Sequence, residues 1–322
     1  MSMISSKSLL QRGSNLTKNT PFWSLEEVKS RATKPLVVLS TKSVKGIVES
    51  TFDTSVLDSL ESLPDVLGTL IVVGGGALID EAKLKNIGSD FELIAIPSLW
   101  GSGAEVSPIA VFEENGIKDY LFDEEMLPIA YSSIPGIAQS LPEHLVRYGC
   151  GDALSHALEG TLSPLGDNAT RITGAALLTD MLDIGVKLDE RWFEFSADAC
   201  LLQSQTSVGV IHGIAHTIEP MLKNDFPHVD WGHARICSNL LWPVFSQFIL
   251  ESEKWNTFTS EFDINVSELS TTFKFLFNDD DYDAMRGYII EAWPQILRHP
   301  LTRTNSSLIR RSHLEKFTGD FS

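Results

Sequence analysis

Short apolar stretches alternate with helical stretches over the first 140 residues. The runs at 36–39, 70–73 and 93–96 are apolar throughout, which is typical of strands covered on both faces of a parallel sheet. Residues 44–60 and 77–86 separate these runs and are predicted to form crossover helices. Strand–helix–strand repetition predicts a wound α/β domain.

The second half of the chain has no such strand pattern and is apolar at helical spacing. Helices are predicted over 145–160, 170–186, 195–220, 232–250 and 283–298. We therefore expect an N-terminal α/β domain with a parallel sheet, followed by an all-helical C-terminal domain. The predicted domains are 1–139 and 140–322.

Two segments of the second half are predicted to lack regular structure. The acidic cluster Asn278 to Asp281 is predicted to be a solvated loop, with calcium binding as the alternative. The last 20 residues are polar and are predicted to fray.

Composition narrows the class of protein. Apolar residues make up 43% of the 322 residues, and the net charge of −18 disfavours nucleic acid and anionic membranes as partners. Three cysteines without a Cys-x-x-Cys pair argue against a disulfide framework or a zinc ribbon, so they are expected to pack as small hydrophobes. Residues 1–18 lack the apolar core of a signal peptide, and no apolar run approaches the ~20 residues that span a bilayer. We expect a cytoplasmic protein.

Two loops rich in glycine and serine follow the second and third predicted strands. The three glycines at 74–76 precede a helix, so the backbone can approach a diphosphate beside free N–H groups; a tight turn is the alternative. Asp80 and Lys83 on that helix either serve ribose and phosphates or form a solvated ion pair. The loop 97–105 follows the next strand, where parallel sheets bind ligands. Together the loops predict a dinucleotide site.

A carboxylate and several histidines recur at helical spacing in the second half. Asp152 and His156 are four residues apart, as are His212 and His216, so each pair lies on one face of a helix. The second helix is apolar nearly all round, and buried imidazoles need partners. A further histidine from 227–235 would complete a set that suits Fe²⁺ or Zn²⁺. Hydrogen-bonded histidines without a metal are the alternative.

Four segments in order resemble motifs of the iron-containing (type III) alcohol dehydrogenase family, within the dehydroquinate synthase-like fold superfamily. The segment 74–83, GGGALIDEAK, resembles the family's GGGSxxDxAK, and 97–108, PSLWGSGAEVSP, resembles PTTAGTGSEVTP. Residues 140–142 and 151–159 match its SLP and GxDALxHAxE elements. The resemblance covers roughly residues 34 to 245.

The resemblance implies roles for the matching residues. The implied metal ligands are Asp152, His156, His212 and His233, with His228 as the reserve for the last. His216 would lie near substrate and nicotinamide and relay protons. Cofactor contacts are implied for Gly74, Gly75, Gly76, Asp80, Ser98, Leu99, Ser102 and Lys118.

The implied reaction is hydride transfer between NAD or NADP and a small alcohol or aldehyde held by Fe²⁺ or Zn²⁺. Thr41 and Lys42 stand where the family often has an acid that reads the ribose, so both nucleotides remain open. The chain is shorter than typical members in its helical half, which leaves the substrate open. Family members are usually dimers or larger, which implies a homodimer.

Two other functions remain open. One is a glycerol-1-phosphate dehydrogenase or a dehydroquinate-synthase-like enzyme with a phosphorylated or phosphonate substrate. Arg235 would lie near such a substrate, although a solvated helix face is the other interpretation of that arginine. The second function is that of a non-catalytic pseudoenzyme that binds nucleotide or metal.

Overall fold

The computed structural model describes residues 19–65, 67–114, 117–319 and 321. The polar segment 1–18, predicted to lack a signal peptide, lies outside the described residues. The described chain forms a parallel sheet with helices and then a mostly helical half. The predicted fold class is confirmed.

Strands in the described part of the first half extend the three predicted runs by one or two residues each. Numbered along the chain, they are β1 Leu36–Ser40, β2 Val56–Leu57, β3 Thr69–Gly74, β4 Glu92–Pro97, β5 Ile109–Glu114, β6 Ile117–Phe122 and β7 Ala130–Tyr131. All strands except β5 and β6 pair in parallel, in the order β2-β1-β3-β4-β7. Alternate side chains of β3 and β4 enter two separate apolar clusters, one on each face, which explains the continuous apolar runs.

The first half contributes the helices α1 Leu25–Arg31, α2 Lys45–Phe52 and α3 Gly76–Asn86. The single helix predicted over 44–60 is wrong in its second part, where the chain forms β2 and a short turn. The reason is Asp53, which ends α2 in the left-handed region at φ 49. Aspartate tolerates this conformation because its short side chain bonds locally.

An antiparallel hairpin of β5 and β6 follows the second loop and was not predicted. The α3 side chains Asp80 and Lys83 hold it in place. Asp80 Oδ2 accepts a hydrogen bond from the Val111 amide at 3.1 Å, and its Oδ1 lies 2.7 Å from Lys83 Nζ. Lys83 is fully buried and also donates to the Ala104 carbonyl at 3.0 Å. The predicted solvated ion pair is wrong, and so is a phosphate role for Lys83.

The second half contains at least one helix in every predicted helical segment. They are α4 Glu143–Leu162, α5 Asn168–Ile184, α6 Arg191–Gln205, α7 Val210–Asp225, α8 His233–Val244, α9 Glu253–Phe262, α10 Val266–Leu276, α11 Asp279–Ile296 and α12 Pro300–Arg303. The one helix predicted over 195–220 is two, α6 and α7, and α9 and α10 were not predicted. The helix is interrupted between Gln205 and Val210. At Gly209, just before α7, the backbone packs so closely against Glu159 that a Cβ would lie 2.7 Å from its carboxylate.

Both segments predicted to lack regular structure contain helical residues in the described part of the chain. Asn278 caps α11 by accepting a bond from the Asp281 amide at 2.9 Å, and Asp281 is buried, so the solvated-loop prediction is wrong. Near the C-terminus, Phe317 is buried and its carbonyl accepts a hydrogen bond from the Tyr282 hydroxyl at 2.8 Å, so the predicted fraying is wrong for the described residues up to Phe317. Among the described helices, none combines the length and apolar character needed to cross a membrane.

Candidate metal centre and nucleotide cleft

The helix α4 carries Asp152 and His156 into the protein interior. Close packing against the loop after β4 makes this possible, because a Cβ on Gly149 would lie 2.6 Å from the Trp100 carbonyl. On the loop side, Gly101 adopts φ +127, and a Cβ there would lie 3.2 Å from Asp152 Oδ2. Glycine on both sides lets the loop backbone touch the helix face that bears the carboxylate.

The predicted ligand side chains meet at the base of the main cleft. His156 Nε2 and His212 Nε2 are 2.9 Å apart, and His212 Nε2 is 3.9 Å from Asp152 Oδ1. The ring centroids of His212 and His233 are 5.4 Å apart. His233, the first residue of α8, lies beside this cluster. His228, the reserve candidate, is exposed in the loop that precedes α8.

Each of the three clustered imidazoles has an oxygen partner at Nδ1. His156 Nδ1 lies 3.2 Å from the Gly101 carbonyl. The Nδ1 of His212 lies 2.8 Å from Glu159 Oε2, and that of His233 lies 3.1 Å from Glu219 Oε2. Donation from Nδ1 fixes the tautomer and leaves the Nε2 lone pair free for a metal ion.

The electrostatics of this cluster fit a divalent ion. Burial holds the pKa of His156 at about 3 and lowers that of His212 far below its ordinary value. The imidazoles of His156 and His212 are therefore neutral. As long as Glu159 is ionised and accepts the Nδ1 proton of His212, the Nε2 lone pairs of the two rings face each other. Asp152 Oδ1, also buried, has no hydrogen-bond partner among the described residues. A cation would satisfy all of these atoms, and buried polar atoms seldom stay unpaired.

Glu219 links this cluster to two lysines. Its carboxylate pairs with Lys118 and lies 2.7 Å from Lys223 Nζ. Burial alone would raise the pKa of Glu219, but Lys118, His233 and Lys223 together hold that pKa far below its ordinary value. Lys118 is thus fixed beside the imidazoles, with Nζ 3.4 Å from His233 Nδ1.

His216 lies one helical turn beyond His212 on α7. Its ring centroid is 4.9 Å from that of His233 and 5.7 Å from that of His299. Burial and then the Lys118 cation lower the pKa of His216 well below its ordinary value, so the ring is neutral at pH 7. Within the described chain its Nδ1 lacks a hydrogen-bond partner. The Nδ1 atom is therefore available for a hydrogen bond to a ligand in the cleft.

A cavity of about 550 Å³ joins the glycine loops to the imidazole cluster. Its lining includes several predicted site residues, namely Gly76, Asp80, Leu99, Ser102, Lys118, Asp152, His216 and His233. Gly74, Gly75 and Ser98 lie at the strand ends next to it, where the Ser98 amide donates to the Gly74 carbonyl at 2.9 Å. A smaller cavity of about 110 Å³ lies against the imidazoles of His156, His212, His216 and His233.

Arg235 borders the main cavity but is held by other groups. Its Nε and Nη2 donate to the Asp281 carboxylate at 2.9 and 2.6 Å, and its guanidinium lies 4.3 Å from the Trp231 ring centre. The solvated-face interpretation is wrong, because the arginine is half buried in this arrangement. Because the Nε and Nη2 donors of Arg235 are bound to Asp281, the structure gives no support to the alternative that this arginine contacts a phosphate or phosphonate.

Three residues of the site were not predicted from the sequence as site residues. They are Glu159, Glu219 and Cys237. Each follows one of the histidines by three or four residues, and this helical spacing was a usable signal.

The sheet, the glycine loops and the carboxylate–imidazole cluster define a class of protein, one suited to hold a nucleotide opposite a divalent ion. Known proteins of this class are similar to the chain. The family described as iron-containing alcohol dehydrogenase matches residues 61–131. The chain therefore resembles this family over that segment, which confirms the resemblance that its motifs predicted.

Individual relatives differ in the reactions that their names describe. Maleylacetate reductase of Sphingobium indicum is 25% identical over 216 residues, which are 64% of this chain and 59% of that protein. A 1-propanol dehydrogenase of Citrobacter freundii is 28% identical over 172 residues, 48% of this chain and 46% of that protein. The matches thus span about half of the length of these relatives.

Solved structures match over nearly the whole chain. Sulfoacetaldehyde reductase from Bifidobacterium kashiwanohense, solved in complex with NAD⁺, has a TM-score of 0.68 at 14% identity, covering 94% of this chain and 96% of that one. At this identity the likeness concerns the fold.

Proposed function

We propose that the protein is a metal-dependent oxidoreductase that transfers a hydride between NAD(P) and a small alcohol or aldehyde. The observation that carries this proposal is the convergence of Asp152, His156, His212 and His233 at the base of a cleft that also contains the glycine loops. The cleft is large enough for a ligand of nucleotide class.

The four side chains would hold Fe²⁺ or Zn²⁺. When bound there, the ion supplies Lewis acidity, which polarises a carbonyl and lowers the pKa of an alcohol. Asp152 contributes one negative charge, and the imidazoles stay neutral because they are buried. The residues therefore leave the ion with net positive charge, and that charge stabilises an oxygen anion beside it.

The role of His216 follows from its neutral, partly unpaired ring. It would accept the proton that the alcohol loses and return it in the reverse direction. His299 lies on the far side of His216, with its own pKa lowered by burial to about 4. The two rings offer a path for that proton away from the cluster.

The glycine loops would hold the nucleotide. At Gly75 a Cβ would meet nothing within 4 Å, and the backbone there, φ −75 and ψ 172, is open to any residue. Neither packing nor backbone conformation explains a glycine at this position. A diphosphate bound at the start of α3 would explain it, because a side chain there would occupy the space of the phosphates. The nicotinamide end would then lie near Leu99 and Ser102.

The experiment combines metal analysis with a substrate panel. Protein purified without chelator should contain about one Fe²⁺ or Zn²⁺ per chain, and it should reduce NAD⁺ or NADP⁺ with small alcohols. His212→Ala should lose both properties, whereas the exposed His228→Ala should keep both.

The results also separate the other two functions. Metal and nucleotide binding without turnover on the panel would favour a pseudoenzyme. Turnover confined to phosphorylated alcohols would favour the glycerol-1-phosphate type. A wild-type protein that binds no divalent ion would refute the proposal.

A further inference from the structure

The third cysteine of the chain, Cys237, lies inside the metal cluster. Its Sγ and the ligand atoms of Asp152, His212 and His233 all lie within 4.8 Å of one another. It stands one turn after His233 on α8, with Sγ 3.4 Å from His233 Nε2. The side chain is fully buried.

Cys237 contacts the nitrogen of His233 that faces the metal cluster. His233 Nδ1 is engaged with Glu219, so Nε2 presents its lone pair to the cluster, and Sγ lies beside that lone pair. A sulfur and a nitrogen bound to the same Zn²⁺, with bonds of about 2.3 and 2.05 Å and an angle of roughly 105° at the metal, are separated by about 3.5 Å. The separation of Sγ and Nε2 matches that value.

We propose that Cys237 ligates the metal as a thiolate together with Asp152, His156, His212 and His233. This inference rests on the proposed metal binding and adds to it a soft sulfur donor. On binding, the Sγ–H proton leaves to solvent and an Sγ–metal bond forms, with no change of oxidation state.

One observation beside the distances supports a ligand rather than a packed thiol. The buried Asp152 Oδ1 faces the same space without a hydrogen-bond donor from the described chain.

The chemical consequence concerns the choice of metal. As a second anionic ligand beside Asp152, the Cys237 thiolate would remove the net positive charge that the other four side chains alone leave on the ion, so stabilisation of an oxygen anion would then depend on the Lewis acidity of the metal. Thiolate donors favour Zn²⁺ and Co²⁺ over metals that prefer oxygen. We therefore expect the isolated protein to retain Zn²⁺ more strongly than Mn²⁺ or Mg²⁺.

Spectroscopy of the wild-type protein tests the proposal without relying on activity. Co²⁺-loaded protein should show a near-ultraviolet sulfur-to-cobalt charge-transfer band, and X-ray absorption of the Zn²⁺ form should show one sulfur at about 2.3 Å. Cys237→Ser should lose the band and bind Zn²⁺ roughly tenfold or more weakly. Cys150→Ala, which changes another buried cysteine of the core, should leave both properties unchanged.

The outcomes distinguish this inference from the proposed function. Co²⁺ binding without the charge-transfer band, or a zinc site with only nitrogen and oxygen neighbours, overturns the role of Cys237 and leaves the oxidoreductase proposal intact. A wild-type protein that takes up neither Zn²⁺ nor Co²⁺ overturns both. If Cys237→Ser does not fold, the two wild-type measurements still decide.

Discussion

At the scale of single residues, Glu159 holds a metal-binding imidazole in its orientation. Oε2 lies against His212 Nδ1 while Oε1 accepts the Ile211 amide at 2.8 Å. A glutamine has only one acceptor oxygen and cannot serve both donors. Glu159→Gln should therefore weaken metal binding by about 10- to 100-fold, measured by competition with a chelator. Glu143→Gln, at the exposed start of the same helix, should leave the affinity unchanged, and equal affinity in both variants would contradict this role.

His216 is expected to act on protons rather than on the metal. His216→Ala should keep the metal, because the ring belongs to none of the ligand contacts described, and lower kcat by about 10²- to 10⁴-fold. Metal content and turnover are measured on one preparation. Loss of the metal along with the activity would make His216 a ligand and remove the proton role.

The sequence predicted the residues whose spacing is local. Asp152 with His156, and His212 with His216, are visible as i,i+4 pairs within one helix each. The partners that orient them were not predicted, because the contact of Glu159 with His212 joins two helices 53 residues apart in the chain. Cys237 was interpreted as an apolar residue, although its position four residues after His233 places both side chains on one face of the helix.

At the scale of elements, the turn from β3 into α3 is where a nucleotide diphosphate is expected. Gly75→Val places a side chain in the open space beside Gly75 without a clash in the described protein. We expect roughly tenfold or weaker NAD(P)H binding, about 1.4 kcal/mol, with little change in stability. Nucleotide fluorescence titration measures the first and chemical denaturation the second.

Gly287→Val is the matched control, because a Cβ at Gly287 also meets nothing within 4 Å but lies on α11, far from the loops in sequence. It should bind the nucleotide as wild type does. Undiminished binding by Gly75→Val would show that the diphosphate lies elsewhere.

The start of α11 depends on its cap. The Asn278 side-chain oxygen accepts from the Asp281 amide, and the backbone amide of Asn278 donates to Asn239 Oδ1 at 2.8 Å. Asn278→Ala should lower the free energy of unfolding by about 1 kcal/mol in chemical denaturation. Asp280→Asn, an exposed change in the same acidic cluster, should alter it by less than about 0.5 kcal/mol. Stabilisation of the wild type by Ca²⁺ that Asn278→Ala abolishes would instead restore the calcium interpretation.

Elements were predictable where one local pattern determined them. Strands β3 and β4 were predicted because both of their faces are apolar, and α3 because it follows the glycines directly. The hairpin of β5 and β6 mixes apolar with charged residues, and Asp80 on α3 bonds its Val111 amide. Contacts of this kind do not appear in a sequence pattern, and the acidic cluster at Asn278 was mistaken for a loop because capping residues are also loop residues.

At the scale of the whole molecule, pH should change stability through Glu105. This side chain is 2% exposed, and burial raises its pKa from 4.5 to about 7, although the cation of Lys83 opposes the rise. The folded protein therefore binds a proton that the unfolded chain releases between these values. The contribution to stability is complete below pH 4.5 and is lost as the pH rises through 7.

The size of this loss follows from the two pKa values. A difference of 2.5 between 7 and 4.5 corresponds to at most about 3 kcal/mol between pH 4.5 and pH 8. Glu105→Gln removes the titrating group, so the free energy of unfolding of the variant should rise relative to the wild type as the pH increases. Chemical denaturation at several pH values, at one metal loading, measures that difference.

The exposed Glu49→Gln should follow the wild-type profile, because it changes the net charge of −18 by the same amount without changing a buried group. Parallel profiles for Glu105→Gln and the wild type would mean that Glu105 stays ionised in the fold, held by Lys83.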